Sequence, residues 1–171
     1  MGWISPTSNV ANGWADPTLA YNANTADYAS YLVVKGSWSP YLELYISSIS
    51  CDKVQIWSSG QTTDINQIAV DIEYNSTWNN IYSGALIQGS YQEYIIGSTQ
   101  DVTGMRIRYY NSKSNATRYA YCHEVQLWEI VSGPTPNAYN KILYTSEPPT
   151  PNAWNQVKQD AGMGWKKLLY V

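Results

Sequence analysis

Few groups in this chain could do chemistry. Its single histidine, His123, follows Cys122 in YAYCHEVQLWEI, a run that reads as a strand. Neighbours in a strand point to opposite faces, so this pair cannot chelate one ion locally. A nucleophile triad would need the fold to bring a serine and a carboxylate to His123; the simpler expectation is a tolerated, partly buried imidazole. Asp71 and Glu73, in IAVDIEYN, share a strand face and imitate a catalytic carboxylate pair. Glycosidic acid–base chemistry needs two carboxyls in unlike environments, of which the sequence gives no sign. The pair is instead expected to keep a solvent-facing strand soluble and to discourage edge pairing. Asp160-Ala161-Gly162-Met163-Gly164 is glycine-rich, yet it follows no convincing βα unit and matches no phosphate loop. Cys51 and Cys122 permit one disulfide or two buried thiols. No catalytic residue is assigned, and the chain is not expected to be an enzyme.

The elements that must position these groups are short and alternating. The 171 residues include sixteen Tyr, eight Trp and no Phe. These side chains add apolar area while keeping a polar handle, which suits half-buried strands and wet contact surfaces. A net charge of −3 with only ten Lys plus Arg, and no basic block, argues against a nucleic-acid partner. No apolar run approaches the roughly 18 residues of a spanning helix, so no membrane partner is expected. The opening MGWISPTSNV lacks a basic region followed by an apolar core, so it does not read as an ordinary secretion signal.

Residues 1–30 read as irregular, punctuated by Pro6, Gly13 and Pro17. Period-two runs then begin with Tyr31–Lys35. In YLELYI, Leu42, Leu44 and Ile46 face one way; in DKVQIW, Val54 and Ile56 do. Ile68, Val70, Ile72 and Tyr74 oppose Asp71 and Glu73, and TWNNIYSG is the expected hairpin partner across Asn75-Ser76. YQEYIIG supplies another strand, and MRIRYYN sets Met105, Ile107 and Tyr109 against Arg106 and Arg108. In YAYCHEVQLWEI neither parity is purely apolar, which suggests a bulge or cover on both sides. About eight short strands without a helical run predict an all-β antiparallel sandwich, a jelly roll, over residues 1–131. A Pro-rich arm is expected over residues 132–171.

The order of segments resembles the discoidin-like, coagulation-factor type C domains and the wider galactose-binding-like jelly rolls. The family's opening loop looks like Tyr21-Asn22-Ala23-Asn24-Thr25-Ala26-Asp27-Tyr28, its patterned strand like Val54-Gln55-Ile56-Trp57, and its closing segment like Glu124-Val125-Gln126-Leu127-Trp128. The resemblance implies a structural calcium at Asn22, Asn24, Asp27 and Glu124. Asn22-Ala23 stands where the family carries Asp-Gly, which removes a charge from that cage. It also implies glycan binding on exposed aromatic platforms, for which Trp14, Trp38, Tyr41, Trp78 and Tyr91 are the candidates.

The arm repeats itself: TPNAY and TPNAW recur fifteen residues apart, and YNKILY is echoed by WKKLLY. Such a segment cannot shelter its own apolar groups and must lie on something. A neighbouring copy is the favoured surface, with Tyr139, Leu143, Trp154, Trp165 and Leu169 filling its pockets. An aromatic jelly roll with repeated arm modules resembles a phage or viral particle component. The expectation is a structural or assembly protein of the virion, homo-oligomeric or bound to other particle proteins. The alternative is an extracellular carbohydrate-binding module or adhesin.

Overall fold

Apolar residues at every second position in separate runs, such as Leu42/Leu44, Val54/Ile56, Ile68/Val70/Ile72 and Met105/Ile107/Tyr109, dictate strands with one buried face, and two such faces closed on each other form the core. The computed structural model describes residues 1–131. Readings that fall on residues 132–171, the arm and its five assembly candidates included, lie outside the described residues. The chain order is β1 (Gly2–Ile4), β2 (Ser8–Val10), a 3-10 turn (Pro17–Tyr21), β3 (Ala29–Val33), β4 (Ser37–Trp38), β5 (Leu42–Gly60), β6 (Ile65–Tyr74), β7 (Thr77–Ala85), β8 (Tyr91–Asn111) and β9 (Arg118–Glu129). All pairings among them are antiparallel.

β5 and β8 are the frame. Each runs through both layers of the sandwich. Leu42–Tyr45 pairs with Gly104–Ile107 in the first layer, and Lys53–Trp57 pairs with Tyr91–Ile95 in the second. The pairing register slips between Tyr45 and Ile49 and again between Cys51 and Lys53, where the two strands bend together. β6 and β7 extend the first layer beyond β8, with β2 and β4 on its other side. β9, flanked by β1 and β3, extends the second layer beyond β5.

The predicted inward positions meet in one core. Leu42, Leu44, Ile68, Val70, Ile72, Met105, Ile107 and Tyr109 of the first layer pack in the same cluster as Val54, Ile56, Val125 and Leu127 of the second. Each large apolar side chain so buried contributes about 1.5–3 kcal/mol. The Tyr109 hydroxyl, fully enclosed, finds Ser58 Oγ at 2.6 Å, so the buried phenol is satisfied. β6 and β7 form the expected hairpin. Asn75 and Ser76 both take positive φ, 52° and 56°, the sense of twist that a two-residue hairpin turn requires.

β9 shows why neither of its parities is purely apolar. Glu124 pairs with Trp57 but Cys122 pairs with Ser58, so His123 is the extra residue of a bulge and the inward phase changes there. Cys122 and Ala120 face the core before it, Val125 and Leu127 after it.

Three expectations are corrected. YLELYI and DKVQIW are not separate strands but one, β5, and YQEYIIG and MRIRYYN are likewise one, β8. Bulges turn the corner between the two halves of the frame. Residues 1–30 are not wholly irregular: β1 and β2, three residues each, are held as strands by their partners on β9 and β5, which no local periodicity could announce. The two cysteines are free and buried.

Candidate functional site

The same alternation that fills the core sends every other residue of the first layer outward. The cross-strand register arranges these residues in rows. Glu43, Arg106, Asp71 and Asn80 form one row across β5, β8, β6 and β7. Tyr45, Gly104, Glu73 and Trp78 form the next. Arg108 pairs with Ala69, and Trp38 with Tyr110, at the other end. Gly104 makes room for Tyr45 to lie across the sheet, since a Cβ there would meet the tyrosine ring at 3.0 Å.

Arginine and aromatic rings interleave on this face. The Arg106 guanidinium carbon lies 4.1 Å from the centroid of Tyr41 and 4.7 Å from that of Trp78. That of Arg108 lies 4.7 Å from Tyr41 and 4.8 Å from Trp38. Stacking of this kind holds long side chains in place and leaves the rings half-buried.

The two arginines differ in their partners. Arg106 Nε donates to Asp71 Oδ2 at 2.8 Å, and Asn80 Nδ2 donates to Asp71 Oδ1 at 2.7 Å. Burial works against the Asp71 charge, but hydrogen bonds from Asn80, Arg106 and Tyr41 outweigh it and hold the carboxyl below its usual range. Glu43 accepts the Tyr45 hydroxyl at 2.9 Å, and burial together with that carboxylate pushes the phenol up to about 12. Glu73 accepts the Thr103 hydroxyl at 3.1 Å. Arg108 has no ion-pair or hydrogen-bond partner among the described residues, and its Nε is buried without an acceptor.

Of the five aromatic candidates, the fold gathers Trp38, Tyr41 and Trp78 on this face. Trp14 is a correction. It is only 4 % exposed, lies 5.7 Å from both Tyr31 and Tyr109, and donates its indole N–H to the Pro40 carbonyl at 3.2 Å. A ring enclosed in the core offers no platform. Tyr91 stands apart, edge-on to Trp57 at 5.2 Å. Asp71 is also corrected: it is 4 % exposed and clamped by its neighbours, not a solvated solubility charge. Arg106, Arg108, Tyr45 and Asn80 were not singled out from sequence. The one available signal was the alternation Arg106-x-Arg108 opposite an apolar parity.

The loop proposed for calcium does come together, but on itself. Asn22 Nδ2 and Asn24 Nδ2 both donate to Asp27 Oδ2, at 3.2 and 2.8 Å. Their amide oxygens accept the backbone N–H groups of Asn24 and Ala26. Amide donors thus point where a cation would need oxygens, and the arrangement does not fit a calcium cage. Among the described residues no three acidic, histidine or cysteine side chains gather as a metal site. Glu124 lies beneath the loop, fully buried, with Ser5 Oγ donating to Oε1 at 3.1 Å and Oε2 unpartnered. Burial raises its pKa, partly offset by Ser5 and by the nearby backbone N–H groups of Ala23 and Asn24.

His123 ties the same loop down. Its Nδ1 lies 2.9 Å from the Thr25 carbonyl, which can only accept, so Nδ1 carries the proton and Nε2 accepts the Ser59 hydroxyl at 2.7 Å. The third group is a backbone carbonyl where a catalytic triad has a carboxylate, and it orients the ring. A recess of about 390 Å³ between β7 and the start of β8, lined by Ile81, Tyr82, Tyr94 and Ile95 among others, shares no residue with the aromatic face.

No protein-family model matches the chain, and no curated protein is similar to it. Solved structures do share its fold. The CBM32 of AlyQ in complex with 4,5-unsaturated mannuronic acid superposes with a TM-score of 0.56 at 13 % identity, over 76 % of this chain and 100 % of that one. The family 32 CBM from C. perfringens NanJ in complex with galactose gives 0.53 at 14 %, over 75 % and 91 %. A pectin binding carbohydrate binding module gives 0.52 at 11 %, over 77 % and 96 %. The described domain is therefore an antiparallel β-sandwich that resembles the discoidin-like and carbohydrate-binding jelly rolls. At these identities the likeness is one of fold.

Proposed function

We propose that residues 1–131 form a non-catalytic glycan-binding module, acting outside the cell, whose contact surface is the outer face of the first layer. One observation carries this reading: the register of β4, β5, β8, β6 and β7, with Arg106 and Arg108 stacked on Tyr41, gathers Trp38, Tyr41 and Trp78 on one surface with Arg106, Arg108 and Asn80. Pyranose rings present apolar C–H faces to aromatic rings and hydroxyls to amide, carboxylate and guanidinium groups, and this face has both. The bound sugars in the similarly folded modules support the same class of ligand. Residues 132–171 are kept as a separate arm in this proposal. The assembly role that the arm suggests for a virion component draws no support from the described fold, so glycan binding takes precedence.

The test is a glycan array followed by titration of a bound glycan against Trp38→Ala, Trp78→Ala and Tyr91→Ala. Binding that weakens about tenfold or more in each of the first two, but not in the third, is expected, since a contact aromatic at such a surface is worth more than about 1 kcal/mol. Silence across a broad array would sink the reading, as would equal loss in all three variants.

A further inference from the structure

Resting on the glycan-binding reading, we infer that Arg108 selects a ligand bearing a single carboxylate: a uronic acid joined to neutral sugars. The argument begins from the contrast between two guanidinium groups on alternate positions of one strand. Arg106 is neutralised by Asp71 at 2.8 Å. Arg108, held between 4.7 and 4.8 Å from the Tyr41 and Trp38 rings, has no carboxylate among the described residues. Its Nε is buried without an acceptor, and no ion pair among the described residues engages its terminal nitrogens. A guanidinium with open donors, fixed by stacking, matches a planar carboxylate in two parallel hydrogen bonds.

The surroundings narrow the ligand. Arg108 neighbours Ala69, Tyr41, Trp38 and Tyr110, none of them acidic. Glu43 and Asp71 stand in the row of Arg106, and Glu73 in the row beyond it. A densely charged polyanion laid along the face would meet Glu43 and Glu73, since Asp71 is buried and paired with Arg106, and be repelled. A glycan with one acidic sugar avoids this. Its carboxylate meets Arg108 beside the Trp38 and Tyr41 rings, and the hydroxyls of its neutral sugars donate to Glu43 and Glu73.

The experiment uses the full chain and two probes: a disaccharide of glucuronic acid linked to a neutral hexose, and the same compound with its carboxyl reduced to an alcohol. Calorimetric titration is run on wild type, Arg108→Lys and Arg108→Gln, each checked for native circular dichroism. Wild type is expected to prefer the acid roughly ten- to a hundredfold, as for a charge-assisted hydrogen-bonded pair. Arg108→Lys should keep part of that preference and Arg108→Gln none. A merely structural arginine predicts that Arg108→Gln weakens both probes equally, and that outcome overturns the inference. So does equal binding of both probes by wild type. If neither binds while other glycans on the array do, with Trp38→Ala and Trp78→Ala weakening them, the inference falls and the glycan-binding reading stands. Silence across the whole array ends both.

Discussion

Asp71 and Glu124 are both carboxylates in mid-strand positions, and both are almost wholly buried, yet the protein treats them in opposite ways. Asp71, in the first layer, receives Arg106 and Asn80 and is held ionised. Glu124, in the second, lies under the loop of residues 22–27 with a single side-chain donor, and burial raises its pKa. Burial penalises both charges; at Asp71 the side-chain donors Asn80, Arg106 and Tyr41 outweigh it, whereas at Glu124 the single side-chain donor Ser5 does not. The first layer's outer face is thus an open surface on which Asp71 is paired with Arg106 and Arg108 has no ion-pair partner among the described residues. The corresponding part of the second layer is covered, and its polar groups tie a loop down.

Breaking the Asp71 clamp should give the largest effect. Asp71→Ala leaves Arg106 half-buried and unpaired, and a loss of about 3 kcal/mol in urea unfolding is expected. A loss below about 1 kcal/mol would mean that solvent already screens the pair.

The two carboxylates also predict a stability profile with a maximum in mild acid. Glu124 has a folded pKa above its ordinary 4.5, so its favourable contribution is complete below that value and is lost as pH rises through the folded pKa. Asp71 has a folded pKa below its ordinary 3.8, so its contribution is complete above that value and is lost as pH falls through the folded pKa. The urea midpoint should therefore rise as pH is lowered from 7 toward about 4.5, then drop below about 4. Glu124→Gln should flatten the rise and Asp71→Asn most of the drop. Asp64, held low by Arg118 at the surface, adds only a screened contribution. A profile unchanged in both variants would remove the contrast between the two regions.

His123→Gln tests the loop tie. Losing the bonds to Thr25 and Ser59 should cost about 1 kcal/mol and speed amide exchange in residues 22–28 more than elsewhere. Uniform exchange across the domain would contradict a local role.

The smallest effect is expected from Arg108→Gln. With no ion pair to lose, its stability should stay within about 0.5 kcal/mol of wild type, whereas Arg106→Gln should lose about 2 kcal/mol. Equal costs would show that stacking on the rings, not pairing, holds both arginines.

Much of the first layer was legible in the sequence. The inward sets of β5, β6 and β8 follow from alternation alone, as does the β6–β7 hairpin with its Asn75-Ser76 turn. The mixed parity of β9 pointed to a bulge or to cover on both sides, and the structure has the bulge, with His123 as its extra residue. Other features had no local signal. β1 and β2 are strands only because β9 and β5 pair with them. Trp14 looked like a loop aromatic because its burial depends on Tyr31 and Tyr109, the latter far along the chain. The role of Asp71 was missed for the same reason, since Arg106 reaches it from a different strand.

By itself the sequence determined which residues point inward along each strand, because alternation is a property of the extended backbone and needs no partner. It also put Arg106 and Arg108 on one outward parity. Only the tertiary structure decided that Trp38, Tyr41, Trp78 and those two arginines share a surface, that one arginine is paired and the other is not, and that Trp14 is core. Lateral register between strands distant in the chain is settled jointly by hydrogen bonding and packing across the whole sandwich, and no short stretch of residues contains that information.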